Sequence, residues 1–186
     1  VKRSGYEWTD SINPKARAIH LRSPETDKEE NHLVEDFLGG MLSLERAGRG
    51  EITVLMHHYG GSVYSGLAIY DAIRYSKCRT KLFVYGACMS MGVCILQAAT
   101  RRIMMPNATL MLHSGATTLE ADHNIELKAE IQEGQRLDQL YEEIIAKRSR
   151  IVPKKLTEMC NKKTYLTARQ AVQMGLADLV YSGKKP

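Results

Sequence analysis

Three apolar, strand-like runs in this chain end on residues with distinctive chemistry. EITVLMH (51–57) runs into Tyr59-Gly60-Gly61, TKLFVYG (80–86) leads to Ser90, and TLMLH (109–113) closes on His113. Helical patterns lie between and around them. Val63, Leu67, Tyr70 and Ile73 share one helix face, and MGVCILQAA (91–99) is apolar nearly all round, as in a buried helix. Strands that alternate with helices predict α/β crossover units. In such folds sites collect where strands end and helices begin.

The rest of the chain fits that plan. Residues 1–14 are polar and end in Asn13-Pro14, which predicts a mobile N-terminal arm ahead of a single domain, 15–186. RAIHL (17–21) reads as a strand, and Ser23-Pro24-Glu25 as a capped helix start. Leu33, Val34, Phe37, Leu38, Met41 and Leu42 form that helix's apolar face, weakened locally by Gly39-Gly40. RRIMM and TLMLH flank a Pro106-Asn107 turn. Residues 119–150 predict one helix, well beyond the average of ~11–12 residues. A helix of that length is expected to pack against something outside its own domain. A short helix from Pro153, another over 167–175 and a strand over 176–181 complete the pattern.

Composition narrows the function classes. The chain of 186 residues is 44% apolar and 25% charged, the mix of a soluble globular protein. No apolar run approaches the ~20 residues that span a bilayer. VKRSGYEWTD lacks the apolar core of a signal peptide, although the absence of an initial methionine leaves a removed propeptide open. Cys78, Cys88, Cys94 and Cys160 form no Cys-x-x-Cys pair, which argues against zinc and against a disulfide scaffold. A reducing, cytoplasmic setting is expected, with Cys88 and Cys94 as small buried hydrophobes. The net charge of +5 gathers late, from Lys147 to Lys163. With no interleaved aromatics it reads as a solvated face rather than a nucleic-acid surface.

Each strand end has two readings. Ser90 caps the following helix, or its hydroxyl is a nucleophile at a helix N-terminus where free N–H groups favour negative charge. Gly60-Gly61 is a plain turn, or brings backbone close to a ligand and frees an N–H. Neither Gly-x-Gly-x-x-Gly nor Gly-Lys-Ser/Thr is present, so phosphate binding is disfavoured. His113 is a half-buried structural histidine, or the base that a serine nucleophile needs. A glycine pair, a serine and a histidine at three independent strand ends, in that order, favour the catalytic reading.

These residues resemble a known family. GACMSMG resembles the Gly-x-Ala-x-Ser-Met-Gly nucleophile motif of the ClpP serine peptidases, with its alanine displaced. MPNATLMLH, HHYGGSVYSGLAIYDAI and YLTARQAVQMGLAD resemble three further ClpP segments in the same order, so the resemblance spans about 16–182. It implies a ClpP/crotonase-like superfold of stacked ββα units. It implies Ser90 as nucleophile, His113 as general base, and the N–H groups of Gly61 and Met91 as oxyanion hole. No metal or organic cofactor is expected. The long helix would be the handle by which two rings of seven interlock, in a homo-oligomeric barrel fed with unfolded polypeptide by an AAA+ Clp-type unfoldase. The 1–14 arm would line its axial pore. Thr53, Leu55, Phe83 and Tyr85 match the unfoldase docking positions. His57-His58-Tyr59 replaces the family's usual Asn-Ser-Pro, so contacts to the substrate strand are expected to differ.

One departure stands out. The family's triad aspartate lies two residues before the aromatic of the Phe-Leu-Ser-Ala motif, and Lys163 is there in this chain. Asn161 is the nearest neutral residue to orient His113, with Asp122 or Asp178 as acids from elsewhere and a Ser–Lys dyad as a further alternative. The departure also leaves open a non-catalytic or weakly active ring subunit with a structural or regulatory role. A crotonase-type acyl-CoA enzyme shares the superfold but has no use for a Ser–His pair.

Overall fold

The computed structural model describes residues 11–24, 26–115 and 124–183. Its centre is a parallel array of β2 (Ala18–Arg22), β3 (Ile52–His58), β4 (Thr80–Met89) and β5 (Arg101–Met104). Two short edge strands extend it. β1 (Ile12–Asn13) pairs antiparallel with β2, and β8 (Leu179–Val180) pairs parallel with β5. Pairing of Ile12 and Asn13 brings the chain into the sheet inside the stretch expected as a free arm; residues 1–10 lie outside the described residues.

The long strand β4 divides the fold. Lys81–Val84 pair with β5, whereas Ala87–Met89 pair with β6 (Thr109–Leu112). β6 in turn pairs antiparallel with β7 (Thr164–Thr167), a strand the pattern of apolar residues did not announce. The second half of β4 thus parts from β5, keeps a pair to β3 at His58–Cys88, and carries its end toward β6. The departure is marked by an irregularity: His57 of β3 faces three residues, Tyr85 to Ala87, of β4. Gly86 sits there at φ 61°, and a Cβ on it would meet the His57 ring at 2.8 Å.

The helices cover the sheet with apolar faces. α1 (Asp27–Arg46) starts at Thr26, whose side chain accepts from Glu29 N–H; the expected cap, Ser23, instead accepts from Tyr59 N–H. Its buried stripe is Phe37, Met41 and Leu44, turned so that Leu38 and Leu42 are exposed. α1 lies close on the sheet at Gly40, where a Cβ would lie 2.6 Å from the tip of the Ile19 side chain. α2 (Val63–Arg74) follows β3. α3 (Met91–Ala98) follows β4 and is buried at every residue, as its composition predicts.

α4 (Asn124–Ala146) ends at Ala146 rather than at the expected 150, and 116–123 lie outside the described residues. Its last turns are anchored by buried Tyr141, Ile144 and Ile145, while Ile131 is exposed. The chain then turns through α5 (Pro153–Asn161) and α6 (Ala168–Gln173), the latter opened by a Thr167–Gln170 capping box.

Candidate active site

Ser90 is the single residue between β4 and α3. Its φ of 53° and ψ of −126° put a non-glycine residue in a sparsely populated region, at a cost on the order of 1–3 kcal/mol. Backbone contacts hold it there. Its N–H donates to Met111 O at 2.9 Å, and its carbonyl accepts from Val93 N–H at 2.9 Å and from the Tyr141 hydroxyl at 3.2 Å. The side chain makes no helix-cap bond. Its Oγ lies 2.8 Å from His113 Nε2. Of the two readings of this serine, capping is therefore absent.

β6 delivers His113 one residue past its last paired position, half-buried. If Oγ donates to Nε2, the proton of the neutral ring sits on Nδ1. Among the described residues no hydrogen bond reaches that nitrogen. Asn161 Oδ1 accepts from the Ser114 hydroxyl at 2.9 Å, one residue along, and makes no hydrogen bond to His113. Asp178 is engaged elsewhere, accepting from Arg102 N–H at 2.7 Å and from Arg102 Nε at 3.1 Å. Burial pulls the Asp178 carboxyl upward, but these Arg102 contacts outweigh it and hold it below its ordinary range. Asp122 lies outside the described residues. Lys163 follows α5 at φ 51° and is exposed. Leu112 pairs with Thr164, so the antiparallel register places residue 163 opposite His113.

The glycine loop faces this pair. Gly60 (φ 112°) packs so closely on Ser90 that a Cβ would lie 2.7 Å from Ser90 Cβ and 3.1 Å from its Oγ. Among the described residues neither Gly61 N–H nor Met91 N–H has a protein acceptor, whereas the next amide, Ser62 N–H, donates to Glu30 Oε1 at 2.8 Å. Met91 opens α3, where the first N–H groups of any helix lack intrahelical partners. Of the residues singled out from sequence, Ser90 contacts His113, Met91 follows Ser90, and the Gly60-Gly61 turn packs on Ser90, while Asn161 bonds to Ser114 beside His113.

Two residues that sequence reasoning did not assign belong to the surroundings. His58, buried at the end of β3, accepts the Gly60 N–H on Nδ1 at 3.1 Å. Burial, reinforced by His57, pushes its imidazole down to about 4, so it is neutral near pH 7. Tyr141 reaches Ser90 O from α4, fifty-one residues away in sequence, and no local pattern marks it. Among the described residues no group of three or more His, Cys, Asp or Glu could hold a metal ion.

A hydroxyl–imidazole pair at two strand ends, beside backbone N–H groups that lack a protein acceptor among the described residues, is an arrangement suited to acyl transfer. The comparisons make this specific. The sequence model of the Clp protease family matches residues 4–184, and the chain belongs to that family. It is 29% identical over 168 residues to an ATP-dependent Clp protease proteolytic subunit of Deinococcus radiodurans, covering 89% of this chain and 80% of that one. It is 31% identical over 170 residues to proteolytic subunit 3 of Synechococcus sp. (strain CC9902), covering 89% and 82%. A mutant ClpP1 of Listeria monocytogenes superimposes with a TM-score of 0.81 at 22% identity, covering 92% of this chain and 94% of that one. The fold is that of ClpP.

Proposed function

We propose that this chain is a serine endopeptidase that cleaves unfolded polypeptides through an acyl-enzyme on Ser90. The observation that carries the reading is the 2.8 Å contact between Ser90 Oγ and His113 Nε2, made by a serine that caps nothing. In the proposed reaction His113 Nε2 takes the hydroxyl proton as Oγ attacks the peptide carbonyl. The new oxyanion is bound by Gly61 and Met91 N–H, donors without a protein acceptor among the described residues. The tetrahedral intermediate collapses, the C–N bond breaks, and His113 gives its proton to the leaving amine. Water then repeats the cycle on the ester and frees Ser90. No cofactor enters these steps.

We further propose that the chain works in a barrel of two stacked heptameric rings served by an AAA+ Clp-type unfoldase. The exposed Ile131 on α4 supports a contact beyond the chain itself. Leu55 and Tyr85, two of the positions expected to dock the unfoldase, line an apolar groove of about 690 Å³. The second reading, a weakly active or purely structural ring subunit, is favoured by Lys163 opposite His113 where an acid was expected.

Labelling with a fluorophosphonate probe and mass mapping separates the two. The expected result is an adduct on Ser90 in the wild type, none in Ser90→Ala, and at least ~10³-fold slower labelling in His113→Ala. An assembled wild-type ring that takes no adduct overturns the peptidase reading.

A further inference from the structure

The glycine loop and the first turn of α3 come from different parts of the chain, yet their two N–H groups must keep one spacing to bind a single oxygen. His58 touches both. Its ring accepts the Gly60 N–H at 3.1 Å, in the peptide next to Gly61. Its backbone lies against α3 one residue past Met91: a Cβ on Gly92 would lie 3.2 Å from His58 O and 3.3 Å from His58 Cβ. Gly60, held by the ring, is itself packed against Ser90. We infer that His58 is a positioning residue that sets the Gly61 and Met91 donors relative to Ser90, through an acceptor at Nδ1 and a close backbone approach to Gly92.

The inference rests on the reading of Ser90 as a nucleophile. The physical requirement is narrow. Nδ1 must be unprotonated to accept from Gly60, which leaves the proton on Nε2. Burial disfavours the imidazolium, so the acceptor is kept. Without it, the partly buried Gly60 N–H has no protein acceptor among the described residues and the loop is free to turn. Displacement of an oxyanion donor by ~1 Å is on the scale that costs ~100-fold in rate.

The test exploits the two ring nitrogens. In His58→Asn the amide oxygen falls near the place of Nδ1; in His58→Gln it reaches toward Nε2 instead. The full chain is assayed for fluorophosphonate acylation of Ser90 and for kcat and KM on a fluorogenic peptide. His58→Asn is expected within ~3-fold of wild type, and His58→Gln and His58→Leu ~10- to 100-fold lower in kcat with KM within ~2-fold. Should the leucine variant fail to fold, the asparagine–glutamine pair carries the comparison alone. Wild-type kcat in His58→Gln overturns the inference, as does an asparagine variant as slow as the glutamine one. A wild-type chain that takes no adduct at Ser90 removes the peptidase reading beneath it, which is distinct from variants that label alike.

Discussion

The two halves of the candidate site are built differently. The nucleophile half is set by backbone and close packing. Ser90 is held at positive φ by hydrogen bonds at both its N–H and its carbonyl, with Gly60 pressed on one side and an entirely buried helix behind it. The base half is open. His113 is half-buried, touches Ser90 through one side-chain contact, and has Asn161 and Lys163 exposed nearby. A strained conformation persists only where its surroundings over-determine it, so the first half tolerates little change. The second half is held by fewer contacts.

The sharpest way to break the comparison is Gly60→Ala. The new Cβ would sit 2.7 Å from Ser90 Cβ at a φ of 112°, so Ser90 or the glycine loop must move. A fall of ~100-fold in kcat is expected, read with a fluorogenic peptide; an unchanged rate would show that the close packing is not what places the hydroxyl.

The next effect is on stability and concerns the packed half. The folded His58 imidazole is pushed down to about 4 from 6.5, chiefly by burial. The unfolded chain therefore binds more protons between those values, and stability contributed by His58 is complete above about pH 6.5 and lost as pH falls toward 4. Urea unfolding at pH 7.5 and 4.5 should show wild type losing about 2–3 kcal/mol more than His58→Asn. Equal losses would mean the ring is not sealed in neutral form.

The smallest expected effect sharpens the open half. Lys163→Asp puts a carboxylate at the position opposite His113, where it can accept from Nδ1 and stabilise the imidazolium. Ser90 acylation is expected to rise ~10-fold, with the pH profile shifted by the changed charge. No gain would show that His113 is oriented from another direction.

Much of this site was legible in the sequence because its chemistry is local. A glycine pair, a serine and a histidine each stand at the end of an apolar run, and the alternation of runs and helices brings such ends together. What was missed came from residues remote in sequence. Asn161 looked suitable by its place near the motif, but it ends α5 and its Oδ1 accepts from the Ser114 hydroxyl. Helix starts were also misjudged where a tertiary bond competed, as when Ser23 served Tyr59 rather than α1.

By itself the sequence determined the α/β class and the all-buried α3, and it singled out Ser90 and His113 as candidates for acyl-transfer chemistry. These follow from side-chain type and period, which the chain carries at every position. Only the tertiary structure decided that Ser90 leaves its helix uncapped, that His58 braces the donor loop, and that Tyr141 reaches back from α4. Such contacts depend on distances across elements, fixed by packing of the whole core rather than by any local run of residues.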